Sequence, residues 1–160
     1  SISQRTRARC NEILKARTAQ VITMETESFQ AYAKEENMPV SWKDVTEIGR
    51  FLKGDSVEKA IGKLEKVTEK ELAVPFTKYN SDVGHRSGHS DPARYPVKAS
   101  EHVLEVLRSA KGNAEHEGLN TDNLYVQEFI TNQGQDYQTP GRHRGQTTKA
   151  AHVKIVVGER

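Results

Sequence analysis

The chain has a single cysteine, Cys10, among its 160 residues, so no disulfide can form within it and a reducing compartment is expected. No apolar run approaches the roughly 20 residues that cross a bilayer, and no apolar segment of the kind found in secretory signals follows the basic start. No membrane span and a cytoplasmic location are therefore expected. Catalytic fingerprints are missing as well: there is no G-x-S-x-G, no Walker loop and no G-x-G-x-x-G, and the acids fall in helical stretches with bases three or four residues away. No catalytic residue, no cofactor and no enzymatic activity are expected.

The totals bound the rest. Apolar residues make up 34% and charged residues 29% of a length that suits one domain, so the core is small and much of the chain is left for solvent or a polar partner. The net charge of +2 hides an uneven distribution. Residues 1–20 hold Arg5, Arg7, Arg9, Lys15 and Arg17 against Glu12 alone, whereas residues 41–72 hold as many acids as bases. Residues 75–98 carry Lys78, Arg86, Arg94 and Lys98 against Asp82 and Asp91. Residues 133–151 carry Arg142, Arg144 and Lys149 against Asp136. Positive charge thus gathers in irregular segments, where it can reach phosphates, while the periodic segments are neutral.

Periodicity predicts three helices. The first runs from about Ser41 to Lys53 on the stripe Val45, Ile48 and Leu52, with Gly54 as its stop. The second starts at Asp55, with Glu58 completing a capping-box-like pair, and has the stripe Val57, Ala60, Ile61, Leu64 and Val67; the first two would form an αα-hairpin. The third follows Ser100 as cap, buries Val103, Val106, Leu107, Ala110 and Ala114, and stops at Gly118. Between the second and third, AVPFTKYNSDVGHRSGHSDPARYPVKA contains three prolines and two glycines and reads as a long ordered loop.

After Gly118 the period changes to two. Leu124, Val126 and Glu128 alternate with Tyr125, Gln127 and Phe129, and Val153, Ile155 and Val157 alternate with His152, Lys154 and Val156. Two antiparallel strands are expected, with a third from Met38 to Trp42 and a weaker fourth from Val21 to Met24. The fold class is α+β. Between the two clear strands lies QGQDYQTPGRHRGQTT, residues 133–148, without one aliphatic side chain. If its arms continue as strands, the nine or so residues from Gln133 to near Arg142, at roughly 3.3 Å each, extend about 30 Å beyond the core. A polar hairpin of that length is not stable alone in water, so something outside the domain must hold it. Arg142, His143, Arg144, Gln146 and the hydroxyls of Thr139, Thr147 and Thr148 suit phosphate, sugar and base edges, and Gly141 and Gly145 permit close backbone approach. These features point to folded RNA; the alternative is a disordered surface loop.

The ordered set VPFTKYNSDVGHRSG, RYPVKAS, GNAEHEGL, the long polar hairpin and the last apolar strand resembles the family of large-subunit ribosomal protein twenty-two, in its archaeal and eukaryotic form, over residues 38–159. The resemblance implies three helices packed on a small antiparallel sheet with a long protruding β-hairpin. The body would sit on the subunit surface near the tunnel exit, and the hairpin would penetrate large-subunit rRNA to line the nascent-chain tunnel. The expected partners are large-subunit rRNA, neighbouring large-subunit ribosomal proteins and the nascent polypeptide chain.

Carried over by position, Asn80, Gly84, His85 and Arg86 in the loop after V-P-F are rRNA-contact candidates, as are Arg94, Tyr95 and Lys98 in R-Y-P-V-K-A-S. Lys43, Lys78 and His89 join them on the body, and Lys111 and Asn113 on the third helix. The hairpin adds Arg142, His143, Arg144, Gln146 and Lys149, and its tunnel-facing tip is Pro140, Gly141, Arg142, His143, Arg144 and Gly145. The family tip is usually denser in Arg and Lys; here Gln133, Gln135, Asp136 and Gln138 dilute it. Asp82 stands where a small residue is common, and residues 1–20 have no counterpart, so a basic extension (1–20) followed by one domain (21–160, hairpin about 130–152) is expected.

His85 and His89, with Asp91 beyond, raise the question of a metal site. A structural zinc site needs four ligands, and no cysteine pair is available to complete one, so hydrogen bonds to phosphate or sugar are the expectation and metal is not. His102 and His116 on the helix are expected to be solvated or satisfied by neighbours. The rival to a ribosomal role is a free RNA-binding module of the same fold.

Overall fold

Val45, Ile48 and Leu52 are all fully buried, and they form the inner stripe of helix α1 (Trp42–Leu52). The computed structural model describes residues 30–88, 91–142 and 145–159. Strand β1 (Gln30–Met38) precedes α1, and helix α2 (Val57–Thr68) follows it. The fragments β2 (Val74–Pro75) and β3 (Ala93–Arg94) bracket the long loop, and helix α3 (Val97–His116) comes next. A single 3₁₀ turn then leads into β4 (Leu124–Gln133), β5 (Tyr137–Gln138), β6 (Thr147–Thr148) and β7 (Ala151–Glu159). The main sheet has the order β1-β7-β4, and the helices cover one of its faces. The class is α+β, as expected.

Four local expectations change. First, α3 begins a turn early: Pro96 is its N-cap and Ser100, expected as the cap, lies inside the helix with its hydroxyl buried and unpartnered. A proline needs no backbone N–H at a helix start, which lets Pro96 open the helix. Second, Asp55 and Glu58 form no capping box. Ser56 is the N-cap of α2, and the Asp55 carboxylate instead accepts from Lys63 at 2.6 Å. Third, α1 and α2 do not pack along each other as an αα-hairpin; both lie against α3. Their linker is tied to the sheet, with Gly54 N–H donating to Val126 O (3.0 Å) and Val126 N–H to Asp55 O (2.9 Å). Fourth, the extra strand ends at Met38 instead of beginning there: Pro39, with no N–H to give, follows it, and the chain turns toward α1 through Val40 N–H donating to Met38 O at 2.8 Å. The segment Val21 to Met24 lies outside the described residues.

β4 and β7 pair antiparallel from Leu124↔Glu159 to Gln133↔Ala151, with a register shift between Val126 and Glu128. The extra residue, Gln127, makes a β-bulge that exchanges the faces of β4. Leu124 and Val126 are buried before it; beyond it Phe129 turns toward the core, while Glu128 and Ile130 are exposed. Phe129 covers Gly49 of α1 so closely that a Cβ there would overlap its ring. A glycine in the middle of α1 is thus the condition for α1 to approach β4. The helix α3 ends as expected: Gly118, at φ 80°, donates to Glu115 O, and Leu119 N–H to Ala114 O.

The pairing continues beyond the body. Gly134 N–H donates to Ala150 O at 2.8 Å, Tyr137 opposes Thr148, Gln138 opposes Thr147, and Thr139 N–H donates to Gln146 O at 2.9 Å. Residues 135–142 and 145–149 are all exposed. The aliphatic-free stretch is therefore a β-hairpin.

Candidate nucleic-acid interface

Glu47 sits on α1 among Val45, Ile48 and Leu52, and like them it is fully buried. Its carboxylate receives the start of the long loop: the backbone N–H groups of Thr77 (3.1 Å), Lys78 (2.8 Å) and Tyr79 (2.8 Å) all donate to it, and so does the Thr77 hydroxyl (3.3 Å). Burial acts to raise its pKa, but these donors outweigh burial and hold it below the ordinary glutamate range. One buried anion thus fixes three successive residues of a proline-bounded loop.

The fixed loop assembles bases on aromatic rings. Tyr79 meets Trp42 edge-on, with centroids 5.2 Å apart and planes at 80°. The Lys43 and Lys78 ammonium groups lie 5.6 and 5.3 Å from the Tyr79 ring centre, one from α1 and one from the loop. Arg50 reaches the same place and donates to Thr77 Oγ1 at 2.8 Å. Further along, Arg86 lies over Tyr95 (5.6 Å) and Arg94 over Phe76 (5.7 Å). The far end of the loop is closed by the β2–β3 ladder, by Phe76 N–H donating to Pro92 O (2.8 Å), and by a backbone bridge between His85 and Pro92. Asp82 occupies a left-handed φ of 57° in the turn where Val83 N–H donates to Asn80 O, a conformation that aspartate tolerates better than most residues. Gly84 contributes its carbonyl to Ala93 N–H at 3.3 Å.

The hairpin base joins this face. A groove of about 430 Å³ runs between Ser41 and Asp44 of the α1 start, Lys98 of the α3 start, and Thr147, Thr148 and Lys149 of the hairpin. Asp44 is half-buried there. Burial raises its pKa, and the fields of Arg94 and Lys149 oppose the rise without cancelling it. Lys43, Lys78, Arg86, Arg94, Lys98 and Lys149 are therefore carried on one connected set of elements, and Asn80, Gly84, His85 and Tyr95 on the same loop.

Other candidates are placed differently. Lys111 pairs with Glu58 of α2 at 3.8 Å, and the Asn113 amide donates to Tyr32 O of β1 at 2.8 Å, so their partners are on α2 and β1 and not on the loop. At the hairpin end, Pro140, Gly141, Arg142 and Gly145 line a concavity with Gln138 and Thr139, and Gln146 takes part in the ladder through its carbonyl. Gly141 (φ 126°) and Gly145 (φ 95°) turn the chain in conformations that a side chain would strain. His89, His143, Arg144 and residues 1–29 lie outside the described residues, so the basic extension does too.

Sequence reasoning missed Glu47, Arg50, Trp42 and Tyr79. The aromatics were detectable in principle, since Trp42-Lys43 and Lys78-Tyr79 each place a ring next to a base. It also missed Tyr137, which is 48% exposed on the hairpin. Among the described residues, no group of three or more His, Cys, Asp or Glu is arranged to hold a metal ion, and no helix is long and apolar enough to cross a membrane.

Fold and site together define an α+β domain in which a fixed loop holds bases over aromatic rings and a polar hairpin carries further exposed bases. Residues 33–158 match the family described as ribosomal protein L22p/L17e. The large ribosomal subunit protein uL22 of Methanoculleus marisnigri is 36% identical over 151 residues, covering 90% of this chain and 98% of that protein. The same-named protein of Thermofilum pendens is 34% identical over 134 residues (81% and 89%), and that of Archaeoglobus fulgidus 40% over 104 residues (64% and 67%). The chain belongs to the ribosomal protein L22p/L17e family, whose members are structural proteins and not enzymes.

Proposed function

We propose that this protein is a structural constituent of the large ribosomal subunit, cytoplasmic with it, that binds large-subunit rRNA through its basic face, aids assembly, and lines the nascent-polypeptide exit tunnel with its hairpin. The observation that carries this reading is the convergence of α1, the long loop, the α3 start and the hairpin base into one face of cations. Lys43 and Lys78 flank Tyr79 there, and Arg86 and Arg94 each lie over a ring. Each ring restricts its cation before binding, which reduces the entropy lost when a phosphate is met. His85, Asn80 and the Gly84 backbone supply neutral hydrogen-bonding groups beside these cations, and Lys98 and Lys149 extend the charge to the hairpin.

The hairpin follows from the same physics. Arg142, His143, Arg144, Gln146 and Lys149 contact rRNA in this reading, and the Pro140–Gly145 tip faces the tunnel. A two-stranded ladder with no apolar face needs an external surface, and folded RNA supplies phosphates, sugars and bases along both arms. His89 adds to the contacts of the loop in this reading, whereas Lys111 and Asn113, held by Glu58 of α2 and Tyr32 of β1, make a separate contact outside the basic face. The test is sedimentation: the protein should stay with the large subunit through a high-salt wash, and its release as a free protein that still binds RNA would instead identify an RNA-binding module acting outside the ribosome.

A further inference from the structure

A second surface, built from different elements, has the opposite charge. Between α2 and α3 runs a groove of about 760 Å³ lined by Glu65, Glu69, Glu101, Leu104, Glu105 and Arg108, together with Thr68 and Ser109. Its floor is apolar, with Leu104 half-buried and packed against the core. Its rim carries four carboxylates and one guanidinium. Arg108 is engaged by Glu65 at 3.1 Å, and among the described residues no cation lies within 4.0 Å of Glu69, Glu101 or Glu105. Glu101 and Glu105 stand four apart on α3, where like charges repel across one helical turn. The fold thus keeps three unneutralised acids around an apolar floor, an arrangement that a cationic occupant would relieve.

We propose that this groove docks a Lys/Arg-rich segment of a neighbouring protein in the particle, with an apolar side chain of that segment reaching Leu104. The proposal rests on the ribosomal reading above, but it uses none of the residues of the basic face. Charge complementarity selects the occupant: phosphate is repelled by the rim, whereas guanidinium and ammonium groups find carboxylates at both walls, as Arg108 already does with Glu65. The apolar floor distinguishes a docking groove from a merely solvated acidic helix face.

The test uses assembled large subunits carrying p-benzoylphenylalanine in place of Ser109 in one preparation and of Arg142 in another. Irradiation should join the Ser109 probe to a protein segment rich in Lys and Arg, and the double variant Glu101→Lys/Glu105→Lys should reduce that adduct at least tenfold without changing incorporation into the subunit. An adduct to rRNA, an adduct to an acidic or uncharged protein segment, no adduct, or one indifferent to the double variant would overturn the proposal. The Arg142 probe reports on the rRNA reading separately: its failure to join rRNA counts against the basic face and hairpin assignment, whatever the groove does.

Discussion

The carboxylate of Glu47 on α1 accepts the backbone N–H of Tyr79, 32 residues later, at 2.8 Å, and so joins the helix to the ring on which Lys43 and Lys78 rest. A buried acid is costly unless its oxygens are satisfied, and here four donors satisfy them.

Glu47→Gln turns one of those acceptors into a donor that faces N–H groups. At neutral pH the variant should lose about 1–3 kcal/mol, because backbone donors are left buried and unpaired. The folded-state pKa of Glu47 is lowered, so its stabilisation is full above the ordinary glutamate range and is lost as pH falls through the lower folded value. Urea unfolding across pH should therefore show the difference between wild type and variant shrinking in acid; a difference constant with pH would contradict the assignment.

Asp44 has the opposite sign. Burial raises its pKa, so its ionised form costs stability at neutral pH, and the cost disappears as pH falls below the ordinary aspartate range. Asp44→Asn should be as stable as wild type or slightly more so at neutral pH. It should also bind large-subunit rRNA more tightly, by about fivefold for a Coulomb term of about 1 kcal/mol, since Arg94 and Lys149 lose a competing anion. Filter binding at fixed salt measures it, and weaker binding would argue against the groove facing RNA.

Arg86→Ala and Arg94→Ala should each weaken rRNA binding and lower the slope of log affinity against log salt by about 0.7–0.9, one phosphate contact each. Arg94→Lys keeps the charge over Phe76 but loses the planar stack, and should retain the slope with reduced affinity. An unchanged slope in both alanine variants would remove these residues from the contact set.

Gly49→Ala places a methyl group in the ring of Phe129. Overpacking of this kind should cost about 1–3 kcal/mol despite the better helix propensity of alanine. The double variant Gly49→Ala/Phe129→Leu should recover part of the loss in thermal unfolding; simple additivity would show that the two sites do not meet.

Deleting about Gln135 to Thr147 and closing the arms with an Asn-Gly turn removes, among the described residues, only exposed ones and should leave unfolding near normal, because no described residue of that stretch belongs to the hydrophobic core. The truncated protein should still enter large subunits through the loop from His85 to Arg94, and nascent chains should pause differently in a manner that depends on their sequence. Ribosome profiling that matches wild type, in particles containing the truncated protein, would refute the tunnel assignment.

The helical stripes, the β4–β7 pairing, the Gly118 stop and the polar hairpin were legible because each is a local pattern: apolar spacing reports which face is buried, and sixteen residues without an aliphatic side chain cannot belong to a core. β1 was not legible, since its buried residues are two alanines, Ala31 and Ala33, and a Met38 that falls out of their alternation, so no period of two registers as a strand. Nor was the bulge at Gln127, which only the register against β7 reveals. The candidate cations were identifiable as residue types in irregular chain. That Lys43 and Lys78 share one ring, and that a buried Glu47 holds the loop, was decided by tertiary structure, because hydrogen bonds across 30 to 32 residues depend on packing that no local spacing encodes.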